Sequence, residues 1–240
     1  MSGCLWEEEV RDSITGYQTP KEIFNEGMLE LDGGQVDNAI KLFERLRAAY
    51  PASKYSLQSR LETIYALHEK ERFDEAIDMS NDFIKLFPNH FSTPYAYYLK
   101  GISSENKSKS ILDDYITDNA ERDTSSVKTS LDYYLELINK FPNSQYATEA
   151  KDRLVIIRNI LARHELVIAI FYAKKEAYLA AINRCKFIIN NYPNTPSVPA
   201  ALHLLSYSYE KINAKTLAND AKRVLNESYP RYRPHYTLDN

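Results

Sequence analysis

The chain is short of the residues that would point away from a helical protein. It holds two cysteines in 240 residues, Cys4 and Cys185, which excludes a disulfide framework as the organising device, although one bridge is formally possible. Six glycines are too few for an all-β chain built on tight turns. No apolar run approaches the roughly 18 to 20 residues that a membrane-spanning helix needs. Thirty basic residues against 33 acidic leave a formal charge of −3, so no global positive field draws the molecule to nucleic acid.

Signatures of catalysis are absent in the same way. His164-Glu165 opens like the HExxH zinc motif, but Ile168 stands where the second histidine belongs. His68, His90, His203 and His235 show no ligand spacing with a cysteine or another histidine. There is no glycine-rich phosphate loop, and Gly33-Gly34 reads as a turn between two helices. No serine, histidine and acid form a nucleophile motif. The expectation is a non-enzyme without metal or cofactor.

What is present is helical periodicity, as in Ala39, Ile40, Phe43, Leu46 and Tyr50, or Leu154, Ile157, Leu161, Leu166 and Ile170. The chain reads as all-α. Tyr50-Pro51, Phe87-Pro88, Phe141-Pro142, Tyr192-Pro193 and Tyr229-Pro230 are helix stops, because proline lacks an amide hydrogen and its ring disfavours helical geometry in the preceding residue. Twelve residues before these prolines stand Ala39, Ala76, Ser130, Ala181 and Ala218, small residues that let a neighbouring helix approach closely. Successive prolines are 37, 54, 51 and 37 residues apart. Five units therefore share one period, with 17 and 14 extra residues in the two longer intervals.

Thr19-Pro20, Thr93-Pro94 and Thr195-Pro196 read as helix starts, threonine capping free amides and proline fitting the first turn. This register places the first insertion between the helices of the third unit, at 105–123. The second, close to four helical turns, extends one long helix joining units three and four. The expected division is an N-terminal tether at 1–18 and a five-unit solenoid at 19–230, followed by a tail at 231–240. The units are 19–51, 53–88, 93–142, 144–193 and 195–230. Cys185 falls eight residues before Pro193, where other units place Phe43 and Tyr134, and is expected to be buried. Ser2-Gly3-Cys4 matches the end of a bacterial lipobox, whose cysteine carries lipid, and the acidic stretch WEEEVRDSITGYQ suits a tether.

A helix pair of about 34 residues with small residues in both helices and a terminal proline resembles the tetratricopeptide repeat. The small residue expected twenty-four positions before the proline is Gly27, Gly101 (allowing for the insertion), Ala169 or Ser206; the second unit departs with Ile64. The stretch FPNSQYATEAKDRLVIIRNILARHELVIAIFYAKKEAYLAAINR further resembles the BamD family, lipoproteins of the machinery that inserts β-barrels into the Gram-negative outer membrane. The resemblance runs from about Pro20 to Pro230 and includes the polar AERDTSS in the middle unit.

That resemblance implies a lipid-anchored protein on the periplasmic face of the outer membrane. Its partners would be the POTRA domain of BamA nearest the barrel, other lipoproteins of the complex and unfolded outer-membrane proteins. Asn183-Arg184 matches the family's Asn-Arg, whose arginine pairs with an acidic partner residue. Helical phase turns Arg184 away from the face shared by Ala181 and Cys185, so reversing its charge is expected to cost little stability.

Tetratricopeptide geometry sets Phe24, Met28, Leu61, Tyr65, Tyr98 and Ile102 toward a concave groove. Two readings of these residues stand: they receive an extended segment, by resemblance the aromatic-rich C-terminal signal of a barrel protein, or they pack the superhelix. A periplasmic adaptor of the Tol-Pal organiser type is the alternative for the whole chain. Such a protein would carry an N-terminal coiled coil, and no heptads precede Thr19.

Overall fold

The computed structural model describes residues 18–113, 124–234 and 236. Cys4, residues 114–123, His235 and residues 237–240 lie outside the described residues. Among the described residues there are ten α-helices and no strand. They follow one another as pairs: α1 (Pro20–Asp32) with α2 (Val36–Ala49), α3 (Lys54–Glu69) with α4 (Phe73–Leu86), α5 (Thr93–Asp113) with α6 (Ser125–Lys140), α7 (Gln145–Lys174) with α8 (Tyr178–Asn191), and α9 (Val198–Lys211) with α10 (Lys215–Ser228). The fold is an all-α array of tetratricopeptide-like helix pairs. By contacts it groups into two compact units, Met1–Lys107 with Asp132–Thr148, and Ser108–Leu131 with Glu149–Asn240.

The aromatic-proline stops work as the sequence demands. Tyr50, Phe87, Tyr192 and Tyr229 are the C-caps of α2, α4, α8 and α10; each backbone N–H still reaches the residue four back, and each φ then swings to between −124° and −134°. The capping carbonyls find hydroxyl donors in the next helix pair. Ser56 Oγ donates to Tyr50 O at 2.6 Å, Thr93 Oγ1 to Phe87 O, and Thr195 Oγ1 to Tyr192 O at 2.9 Å. The threonines therefore differ from expectation. Thr19 forms a full capping box, its hydroxyl accepting from Glu22 N at 3.2 Å while Glu22 accepts from Thr19 N at 2.8 Å. Thr93 and Thr195 spend their hydroxyls on the preceding stop instead, because a carbonyl left without a helical partner must find a donor when buried.

Turns within the pairs share a second fixed position. Seventeen residues before the proline, Gly34, Glu71, Glu176 and Asn213 all adopt positive φ, of 76°, 59°, 58° and 62°. In the third unit this position is Ser125, the first residue of α6, and it carries no positive φ. Helix α5 runs on to Asp113, so the first part of the 105–123 segment continues a helix rather than leaving it. No glycine or proline breaks the stretch from Ile102 to Asp113, and Glu105 is buried, its Oε2 accepting from Tyr134 Oη at 3.1 Å.

The residues twelve before the prolines, Ala39, Ala76, Ser130, Ala181 and Ala218, are all 0 to 1% exposed. In the first three units the positions twenty-four and eight before the stop are complementary in size. A Cβ added at Gly27 would sit 2.3 Å from the Phe43 ring, and one at Gly101 would sit 2.6 Å from Tyr134. Where the first position is large, as Ile64, the second is Ser80, and both are fully buried. The departure of the second unit is thus a swap of volumes across one contact layer, which close-packed interiors require.

In the second compact unit, Ala169, Ala181, Cys185, Ile188, Ala201 and Leu204 form the centre of the core. Burial pushes the Cys185 thiol up to about 12, which leaves it an inert packing residue. Helix α7 spans 30 residues, about 45 Å at the α-helical rise. The tail folds back onto α9, where Tyr236 Oη donates to Ala200 O at 3.0 Å and lies 3.0 Å from His203 Nδ1.

Candidate binding surfaces

The first compact unit holds all six groove residues, and the structure sorts them. Phe24 is 7% exposed, stacked on Phe43 with centroids 5.7 Å apart and tilted against Tyr55 at 5.4 Å. It is a core residue and not a groove wall, because Phe43 fills the space beside Gly27 and Phe24 stacks on that ring. Met28, Leu61 and Ile102 are half-buried, packed against the same cores. Tyr65 is open to solvent at 45% exposure. Tyr98 is half-buried among rings, 6.2 Å from Tyr134 and 5.7 Å from Tyr146.

Three aromatics escaped the sequence reading. Phe91, Tyr95 and Tyr146 line a pocket of about 370 Å³ with Ser92, Pro94, Ser144 and Gln145. Tyr95 and Tyr146 are 5.1 Å apart, and Phe91 is 87% exposed. A signal for Tyr146 existed. It stands four residues after Pro142 as Tyr55 stands four after Pro51, each two residues after a serine. Ser53 Oγ accepts from Tyr55 N at 3.2 Å and Ser144 Oγ from Ala147 N at 3.1 Å, so a serine side chain caps the start of both helices.

The second compact unit holds Asn183 and Arg184 on α8. Leu179, Asn183 and Phe187 recur every four residues and share one face. That face is open: Leu179 is 68% and Phe187 43% exposed, and Asn183 is exposed too. Arg184 stands at its edge but is not a free charge. Its Nη1 donates to Glu165 Oε2 at 2.8 Å, with side-chain exposures of 41% for the arginine and 8% for the glutamate. The expectation that reversing Arg184 is nearly neutral for stability is therefore corrected, since the reversal would set a second carboxylate against a buried one. The guanidinium's other nitrogens make no hydrogen bond or ion pair among the described residues, which leaves one side of the fork for a partner.

His164, the first residue of the failed zinc motif, is held below the usual imidazole range, chiefly by burial. Among the described residues no group of three histidine, cysteine or acidic side chains is placed to hold a metal ion. No described helix is long and apolar enough to cross a membrane.

The YfiO family, described as outer membrane lipoprotein, matches residues 17–224. Outer membrane protein assembly factor BamD of Neisseria gonorrhoeae is 34% identical over 219 residues, covering 91% of this chain and 82% of that protein. The chain belongs to the BamD family. BamD of Pasteurella multocida is 32% identical over 206 residues, covering 85% of this chain and 79% of its own length; BamD of Rickettsia prowazekii is 30% identical over 230, covering 96% and 87%. Among solved structures, the yeast Sti1 TPR2AB domain in complex with an Hsp90 peptide aligns at 13% identity and TM-score 0.45, over 89% of this chain and 78% of that one. As a BamD-family lipoprotein the protein belongs to the outer membrane, anchored by lipid on its periplasmic side. It is a non-catalytic scaffold of the barrel-assembly complex, and the matches favour that reading over a Tol-Pal-type adaptor.

Proposed function

We propose that the protein joins two binding events at the outer membrane: α8 docks on a periplasmic POTRA domain of BamA, and the groove of the first compact unit receives segments of unfolded barrel proteins. Cys4 carries the lipid in this reading. The observation that supports docking best is the composition of α8. Interfaces concentrate their affinity in large apolar anchors and arginines, surrounded by residues that exclude water. Leu179 and Phe187 are such anchors left in solvent, and Arg184 stands beside them with half its fork unused. Glu165 holds the guanidinium in a fixed pose, so less side-chain freedom is lost when a partner carboxylate arrives. The groove reading draws on Tyr65, Tyr98 and the half-buried Met28, Leu61 and Ile102; Phe24 serves it only from beneath.

The test is site-specific photo-crosslinking in cells at positions 179, 183 and 187, with position 224 on α10 as a control. Docking through α8 requires capture of BamA from the first three positions. Capture from position 224 alone would move the interface away from α8 and refute the assignment.

A further inference from the structure

The tyrosine patch of the first compact unit carries charge on its border. On α3, Glu62, Tyr65 and Glu69 fall at i, i+3 and i+7 and share one face. Tyr95 and Tyr98 repeat the spacing on α5, with Tyr146 of α7 5.1 Å and 5.7 Å from their rings. The two helices pack together, Ile64 and Leu67 of α3 sharing a core with Ala96 and Leu99 of α5, and His68 Nδ1 lying 2.9 Å from Ser103 Oγ. The Tyr95 hydroxyl is pushed up to about 12, first by burial and then by Tyr146, Glu62, Tyr65 and Glu69.

Neither Glu62 nor Glu69 forms an ion pair among the described residues. Among the described residues, the hydrogen bond at Glu62 comes from the neutral Gln58 amide at 3.4 Å. The adjoining pocket has neither lysine nor arginine in its lining. Tyrosine faces attract a cation through the ring quadrupole, and a carboxylate accepts the donors of a guanidinium or ammonium.

We propose that Tyr65, Tyr95, Tyr98 and Tyr146, bordered by Glu62 and Glu69, form a seat for one basic side chain of the bound polypeptide segment. The proposal rests on the reading that this groove takes extended chain and adds a charge requirement to it. Arginine suits the seat better than lysine, because its plane stacks on a ring while its edge donates to a carboxylate.

The test is fluorescence anisotropy of the full chain with two labelled peptides of one aromatic-rich sequence, carrying arginine or the neutral isostere citrulline at the centre. The arginine peptide should bind roughly five- to thirtyfold more tightly, and added salt should narrow the gap. The Glu62→Gln/Glu69→Gln variant should lose most of the preference while binding the citrulline peptide as before. Tyr65→Leu should weaken the arginine peptide more than the citrulline one. Equal affinity for both peptides in the unaltered protein would overturn the seat and leave the groove standing. A preference that survives the double glutamine substitution would place the cation elsewhere and also overturn it. Binding of neither peptide would remove the groove reading, and the seat with it.

Discussion

Reversing the charge of Arg184 separates stability from binding, and the structure sets the scale. The Nη1 to Oε2 distance is 2.8 Å, and Glu165 is 8% exposed. Two unit charges about 4 Å apart attract by roughly 4 kcal/mol at an effective dielectric of 20. Desolvation and side-chain entropy offset much of this in the native pair. Removing the arginine leaves a buried carboxylate without its donor, a loss of about 1–3 kcal/mol. Arg184→Glu adds repulsion, reduced because the position is 41% exposed and the shorter side chain can turn to solvent. The net is about 2–4 kcal/mol, which for 150–250 residues corresponds to a fall in Tm on the order of 4–16 °C.

The assay is thermal unfolding by circular dichroism in a double-mutant cycle with Glu165→Gln. With the carboxylate neutralised, Arg184→Glu should cost under about 1 kcal/mol. An unchanged Tm for Arg184→Glu in the original background would refute the reasoning. BamA binding should then be measured on Glu165→Gln/Arg184→Glu, whose fold is not strained by facing carboxylates. A defect there belongs to the interface.

The other predictions follow from packing, turns, titration and the anchor. Gly27→Ala should destabilise by about 1–3 kcal/mol in denaturant titration despite alanine's better helix propensity, because the new methyl meets the Phe43 ring; equal or higher stability would contradict the packing. Glu176→Gly should stabilise the fold by about 0.5–1 kcal/mol, read as a higher Tm, since it relieves a left-handed residue at φ 58°. His68, His164 and His203 are all held below the usual imidazole range, first by burial. The unfolded chain therefore binds more protons than the native one below about pH 6.5, so stability present above that pH is lost as pH falls toward the lowered native values. The limit is about 1.4 kcal/mol per pH unit per histidine, and replacing all three with glutamine should flatten the curve of ΔG between about pH 7 and 5. Metabolic labelling with a fatty-acid analogue should mark the full-length lipoprotein and fail with Cys4→Ala; labelling that survives would move the anchor elsewhere.

The repeat was legible because its determinants are local. A proline, the aromatic before it and a small residue twelve back act within one helix and its immediate partner, so spacing along the chain was enough. Placing Gly101 in register by removing 17 residues holds in three dimensions, where it meets Tyr134 as Gly27 meets Phe43. The sites were less legible because they depend on which faces of different helices meet. Glu165 and Arg184 are 19 residues apart on consecutive helices, and helical phase on α8 alone could not reveal the pair. Phe24 followed the groove spacing yet lies in the core, since periodicity marks a stripe without saying which edge faces solvent. Tyr95 and Tyr146 meet across 51 residues, and only the repeated serine-tyrosine offset hinted at them.

The reciprocal sizes at the two layer positions of the first three units limit how those units can be rearranged. A recombination junction inside a helix pair would join Gly27 to Ser80 and leave a void, or Ile64 to Tyr134 and overfill the layer. A junction at an aromatic-proline boundary keeps each residue with its own complement. Duplication, loss or exchange is therefore tolerated in whole helix pairs and penalised in halves.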